Sequence, residues 1–430
     1  MSAQSLPERC DAIVIGGGAA GLAAARHLAA AGAEVLLLEA AGRLGGRIVT
    51  DDVDGFRLDR GFQVINTAYP ALPRLVDLAS LDLRYFDHAV LLGGDGASGG
   101  GPRLLADPRR HPGARALWRA LDPRSAPVPA AGLARLALLS ARLGYARPAS
   151  LLAEPEASTA SYLGRRLDER TITTLVEPFL TGVFGEQALA TSSHVTAMIW
   201  RSFVRGRIGV PAAGMARLPQ ALAAPLPAGC VRLSTPVTAL GDRAAGAWPV
   251  RTEAGTVRAR AVIVATDPAT AARLVPGLTA PAQRILVTTY HAAAEAPARR
   301  PALLLDGTGR SGIANSITLT LAAPGYAPPG RHLIATTAPE SAGLGEGALR
   351  RHLAALYGAP TGDWEHIATV RADPGLVAAP PPQGRLRQPV RFGDGLLVAG
   401  DHRDTPSLQG ALVSGGRAAR AALRELGIAR

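Results

Sequence analysis

The strongest constraint on the fold lies in residues 11–39. Asp11-Ala12-Ile13-Val14-Ile15 is a short apolar run suited to a strand buried on both faces. Gly16-Gly17-Gly18-Ala19-Ala20-Gly21 follows at once and fits G-x-G-x-x-G at Gly16, Gly18 and Gly21. An Ala/Leu-rich helix then runs to about Ala31, with Gly32 placed for a left-handed C-terminal cap. A second apolar strand, Val35-Leu36-Leu37-Leu38, ends in Glu39, 18 residues after Gly21. Each part has a task at a dinucleotide site. Gly16 permits the tight turn, Gly18 lets a pyrophosphate approach the backbone, and Gly21 lets the helix pack on the sheet. The helix N-terminus at Ala19 and Ala20 offers free N–H groups to phosphate. Glu39 can accept from ribose hydroxyls and would repel a 2′-phosphate.

Spacing alone would not suffice, because 49 glycines in 430 residues make about 0.6 such matches by chance. Two more occur, Gly94–Gly99 and Gly307–Gly312. Neither leads into a helix, and both are expected to be hairpin loops. Only the first match has the strand–turn–helix–strand–acid context.

The following segment, Glu39-Ala40-Ala41-Gly42-Arg43-Leu44-Gly45-Gly46-Arg47-Ile48-Val49-Thr50, resembles the flavin-binding extension of the superfamily of FAD-dependent amine oxidases, protoporphyrinogen oxidases and phytoene desaturases. The resemblance implies FAD as cofactor, with Ala40 beside it, Gly45, Gly46 and Arg47 along its diphosphate, and Arg47 paired to that diphosphate. Ala41 stands where many members carry a basic residue. Arg43 is either a ligand or half of a structural ion pair. Three more segments match in order. Asp59-Arg60-Gly61-Phe62-Gln63-Val64 looks like the stretch whose backbone reaches the flavin ring. Ser234–Val237 and the meander to Ala265-Thr266 resemble the second FAD segment, with Val237 on adenine. Leu396–Asp401 resembles the family strand ending in Gly400-Asp401, whose acid holds the ribityl chain or phosphate.

The last helix is expected over Ser407–Leu426, with Thr405 as N-cap and Pro406 in the first turn. Gly410, Gly415 and Gly416 each cost about 1 kcal/mol in a helix interior. They suggest close approach by something, and the resemblance puts the flavin against Leu408, Gln409 and Gly410. Gly415 reads as either flavin contact or tight packing.

The implied fold is α/β. A Rossmann-like FAD-binding domain is assembled from 1–92, 211–280 and 385–430, and an α+β substrate domain from 93–210 and 281–384. In the latter, strands are expected at Gln283–Tyr290, Ala302–Leu305, Ile313–Leu321 and His332–Thr337, and a helix at Glu346–Tyr357. Helices are expected at Ser158–Leu167 and Thr171–Val183, the second kinked by Pro178.

Composition narrows the chemistry further. The two cysteines have no ligand-spaced neighbours, so no disulfide scaffold or metal site is expected, and a reducing, cytoplasmic setting is the default. No signal peptide or run of 18 uncharged apolar residues is visible. All 46 basic residues are Arg, and the formal charge is +12. Aromatics are only 4% and scattered, which excludes a nucleic-acid binder with a dense basic and aromatic stripe. Residues 103–147 hold nine Arg against two Asp. There Leu133, Leu136 and Leu143 share a helical face, giving either a solvated amphipathic helix or a peripheral membrane contact.

The resemblance implies an FAD-dependent oxidoreductase. It removes two hydrogens from an organic, apolar small-molecule substrate by hydride transfer to flavin N5, in the manner of a desaturase or dehydrogenase. Oxygen or a quinone-like compound takes the electrons. The alternatives are an amine oxidase using oxygen, and a flavin-carrying binding or assembly protein. No catalytic side chain is assigned.

Overall fold

The computed structural model describes residues 6–94, 101–107 and 128–428. Arg9–Ile15 pairs parallel with Val35–Leu38 on one side and with Gly255–Val264 on the other. Val231–Arg232 extends the sheet beyond Val35–Leu38. Gly255–Val264 has two neighbours in series along its other edge. Trp248–Thr252 pairs antiparallel with its start and Leu396–Val398 parallel with its end. The result is an eight-stranded sheet with a parallel centre.

Both faces of that centre are buried. Ala12, Val14 and Leu37 face a core that includes the helices Ala19–Ala30 and Leu408–Leu426. Ile13, Ile15, Leu36 and Leu38 face the opposite core, formed with the helix Pro268–Leu274 and the meander strands. This explains why the first run is uniformly apolar and does not alternate. Gly32 follows the first helix at φ +81°, as the cap reading requires.

A second, seven-stranded sheet runs in the order Glu365–Arg371, Leu286–Ala293, His332–Pro339, Asn315–Thr318, Leu303–Asp306, Ala89–Gly93, Arg103–Ala106. Ala89–Gly93, which the sequence places largely at the end of its first unit, therefore pairs here, parallel to Leu303–Asp306. The helix Glu346–Tyr357 forms as expected and packs Leu349, Leu353 and Leu356 on this sheet. A helical group covers the far end. There Leu139 and Leu143 of Ala130–Tyr145 meet Val195 and Ile199 of Ser193–Arg205.

Several expectations are corrected. The strand read over Ile313–Leu321 pairs only over Asn315–Thr318 and then coils into a tight turn at Leu319–Leu321. The Thr320 hydroxyl takes the N–H of Leu333 at 3.2 Å, replacing the ladder bond. Pro178 does not simply kink a helix. Its ring would collide with the carbonyl four residues earlier, and the chain widens into a π-helical turn at Ile172–Val176 before Glu177–Phe184. The C-terminal helix begins at Leu408, and its cap is Ser407, not Thr405. Ser407 Oγ accepts the Gly410 N–H at 3.2 Å.

The match at Gly307–Gly312 is a loop between the antiparallel strands Leu303–Asp306 and Asn315–Thr318. Most of the Gly94–Gly99 match lies outside the described residues, but it joins the antiparallel strands Ala89–Gly93 and Arg103–Ala106. Much of the basic stretch, residues 108–127, also lies outside them. In Ala130–Tyr145, Leu133, Leu136, Leu139 and Leu143 turn inward, while Arg142 pairs with Glu154 at 2.6 Å. That leucine face is therefore occupied by the protein's own core, while Leu138 and Tyr145 of the same helix are exposed. Among the described residues no helix is long and apolar enough to cross a membrane.

Candidate functional site

The glycine turn and the flavin-type extension meet face to face. A Cβ on Gly16, at φ +104°, would stand 2.8 Å from the Ala265 carbonyl. One on Gly21 would stand 1.9 Å from the Gly16 carbonyl. Gly18 differs. It caps the first helix in an extended conformation, and the nearest atom to its hypothetical Cβ is Gly46 Cα at 3.9 Å. Gly46 would in turn place a Cβ 3.2 Å from Gly18 Cα. Gly45 N–H donates to Gly17 O at 2.9 Å. Two side-chain-free turns thus flank one slot, into which the first N–H groups of the helix at Ala19, Ala20 and Gly21 open.

Glu39 closes one end. Its carboxylate accepts Gly17 N–H at 2.6 Å and Ala41 N–H at 2.8 Å, which leaves lone pairs for ribose hydroxyls. Thr235 N–H donates to Glu39 O and Ser234 N–H to Ala41 O, bringing Ala40 and Val237 alongside. Arg43 has no ion-pair partner among the described residues.

The other end is built around an ion pair. Arg47 and Asp401, each expected on the cofactor, are joined to one another at 2.7 Å, and Arg47 also donates to Gly375 O at 3.1 Å. The Asp401 carboxylate holds the Arg47 guanidinium above its ordinary pKa. Gln63 donates to Arg47 O at 2.7 Å and to Arg60 O at 3.0 Å. Phe62 N–H reaches Thr288 of the second sheet at 3.3 Å, and Gly61 turns the chain there at φ +94°. Ala265 N–H binds Ile15 O, and Asp267, after Thr266, caps Pro268–Leu274.

The C-terminal glycines answer first to the chain's own backbone. A Cβ on Gly410 would lie 1.8 Å from Thr405 O, so the chain's own turn demands glycine there, before any ligand does. Gln409 Oε1 accepts Ala71 N–H at 3.0 Å. Gly415 serves packing, because its Cβ would be 2.2 Å from Ala20 O of the first helix. Two cavities, of about 440 Å³ beside Arg26 and Gln220 and about 350 Å³ beside Glu154 and Tyr162, involve none of the expected site residues.

Two more groups stand out. The sequence reads His402 as a phosphate-facing residue on a surface loop beside the flavin segment; the structure buries it, and neither ring nitrogen has a partner among the described residues. Asp59 is buried at the seam between the two sheets. It accepts from Thr50 Oγ1 at 2.5 Å, Met215 N at 2.9 Å and Tyr326 OH at 2.9 Å, and Tyr290 OH binds its backbone carbonyl at 2.6 Å. Burial pushes its pKa up to about 6 against these hydrogen bonds. An acid whose folded pKa lies above its unfolded value binds the proton more tightly when native. Asp59 therefore adds stability below pH ~4 that is lost as pH rises through about 6, on the order of 3 kcal/mol in total. Asp59→Asn should remove that component. Denaturant melts from pH 4 to 7 should show the variant gaining on wild type across this range, whereas parallel curves would contradict the assignment.

The donors, the open cradle at Gly18 and Gly46, and the unpartnered His402 nitrogens fit a dinucleotide laid from Glu39 to Asp401. The comparisons agree. Residues 19–423 match the family described as flavin containing amine oxidoreductase, and the chain belongs to that family. Its cofactor is FAD, and the chain is by family an oxidoreductase. A coproporphyrinogen III oxidase from Propionibacterium freudenreichii subsp. freudenreichii is 29% identical over 179 residues, 41% of this chain and 32% of that one. A carotenoid 3,4-desaturase from Haloarcula japonica is 57% identical over 51 residues, 12% of this chain and 10% of that one. The matches thus span about a third or less of these relatives' lengths. The solved cyclohexylamine oxidase from Brevibacterium oxydans superimposes with a TM-score of 0.69 at 18% identity, covering 98% of this chain and 100% of that one. At that identity the likeness concerns the fold.

Proposed function

We propose that this protein dehydrogenates an apolar organic substrate, passing the electrons to a quinone-like acceptor in preference to oxygen. When bound, FAD supplies a two-electron acceptor whose N5 takes a hydride. The chain's own residues would do the rest. Gly18, Gly46 and the helix N-terminus at Ala19 would seat the diphosphate, Glu39 the ribose, and Val237 the adenine. Arg43, which has no ion-pair partner among the described residues, would add a cation for a phosphate. The Arg47–Asp401 pair and the Gly61–Gln63 backbone would fix the flavin end against the second sheet at Thr288.

The observation that carries the reading is the charge inventory. The chain has no Lys, so no ammonium can stand beside the flavin to stabilise superoxide, and Arg is a bulkier, planar substitute. Two buried acids of the site are engaged already: Asp401 pairs with Arg47, and Asp59 is held by Thr50 and Tyr326. A cationic amine would find neither of them free and would approach a protein of charge +12.

The test is the fate of the reduced enzyme. After anaerobic photoreduction, mixing with oxygenated buffer should return the oxidised spectrum slowly, and a quinone or dye should return it at least tenfold faster. Reoxidation by oxygen at the rate of efficient flavin oxidases would place the amine oxidase reading first.

A further inference from the structure

We propose that His402 is a direct hydrogen-bonding ligand of the bound FAD, donating to an acceptor oxygen of its diphosphate or ribityl chain. The proposal rests on the assignment of FAD to this site. His402 stands in the short turn Asp401–Arg403, just after the strand Leu396–Val398. Its ring folds back over Gly400, where a Cβ would come within 2.5 Å of ring Cε1 and Nδ1. The residue is 8% exposed, and neither Nδ1 nor Nε2 is hydrogen-bonded within the described structure.

The surrounding polar groups are matched. Asp401 pairs with Arg47, Gly400 N–H donates to Ser414 Oγ at 2.9 Å, Arg403 donates to Pro389 O at 2.9 Å, and Asp404 meets Arg417 at 3.4 Å. The charges that act on the ring are Asp401, Arg403, Arg47 and Asp267, which lie on the segments expected to hold the cofactor. Burial holds the imidazole pKa down at about 4, so at neutral pH the ring carries one donor and one acceptor. A buried donor without a partner is costly to the fold, and an apolar ring of the same shape would be the better filler. A ligand bearing acceptor oxygens resolves that conflict.

A ring that merely fills space and a ring that awaits a ligand respond oppositely to substitution. In His402→Phe the apo-protein should melt at or above the wild-type temperature, while the dissociation constant for FAD, read from quenching of FAD fluorescence, rises at least tenfold, about 1.4 kcal/mol. His402→Gln, which keeps a donor, should recover part of that loss. Competition with ADP and with riboflavin identifies the partner. A loss confined to ADP assigns the diphosphate, and one confined to riboflavin the ribityl chain. Wild-type FAD affinity in His402→Phe would overturn the proposal. Should that variant fail to fold, wild-type affinity in His402→Ala would do the same. Absence of FAD binding by the wild-type protein would instead overturn the cofactor assignment beneath it.

Discussion

Gly18→Val is expected to yield a folded protein that purifies without colour. The Gly18 backbone, at φ −76° and ψ −178°, is one that a β-branched residue adopts without strain. The nearest atom to its Cβ position is 3.9 Å away, so the fold itself accommodates valine. Stability of the apo-protein should fall by no more than about 1 kcal/mol, the cost of valine in place of glycine at a helix N-cap. The new methyl groups, however, enter the slot between the Gly16–Gly21 turn and Gly46, where the diphosphate must lie. Affinity for FAD should fall by about a hundredfold or more, equivalent to ~2.7 kcal/mol. Gly21→Ala provides the contrast. Its Cβ would sit 1.9 Å from the Gly16 carbonyl, a backbone clash that side-chain motion cannot relieve, so this variant should lose soluble expression. Circular dichroism separates the two outcomes from each other, and the flavin absorbance of the purified protein reads the first. A yellow Gly18→Val protein would show that the slot is not the diphosphate site.

The legible and illegible parts of the site differ in how far apart in sequence their partners lie. The Gly16–Gly21 turn, Glu39 and the Gly45–Gly46 turn could be read because their tasks are local. A strand must end, a helix must start, and a phosphate must meet bare backbone, all within about three dozen residues. Arg47 and Asp401 were recognised one by one, but their mutual pairing joins residues 354 positions apart, which no spacing rule reports. Asp59 was hidden for the same reason. Its burial is made by Tyr290 and Tyr326, more than 200 residues downstream. Gly410 shows the opposite case. A glycine in a first helical turn suggests a neighbour at close range, and sequence cannot tell a bound ligand from the carbonyl of Thr405 five residues earlier. His402 lies in a short polar run between a buried strand and a helix, which reads as a surface loop carrying a phosphate-facing histidine. Only the way the turn folds back over Gly400 buries it.

The fold shows a similar split. Uniformly apolar strands such as Val35–Leu38 and the amphipathic helix Glu346–Tyr357 follow from local pattern. The helix Ser193–Arg205 escaped notice although Ser192 caps it, because its buried residues interleave with Arg201 and Arg205. The π-helical turn before Pro178 depends on how the chain resolves a local clash, and the sequence supplies only the clash.

The central claim is that this FAD site oxidises apolar carbon skeletons and not amines. Anaerobic mixing of the FAD-loaded protein with two substrate panels tests it most directly, one panel of polyenes and polycyclic compounds and the other of primary and secondary amines. The flavin spectrum is followed on a catalytic timescale. We expect at least one polyene or polycyclic compound to bleach the flavin with saturable kinetics and the amines to leave it oxidised. Rapid, saturable bleaching by an amine, with no response to the apolar panel, would contradict the account.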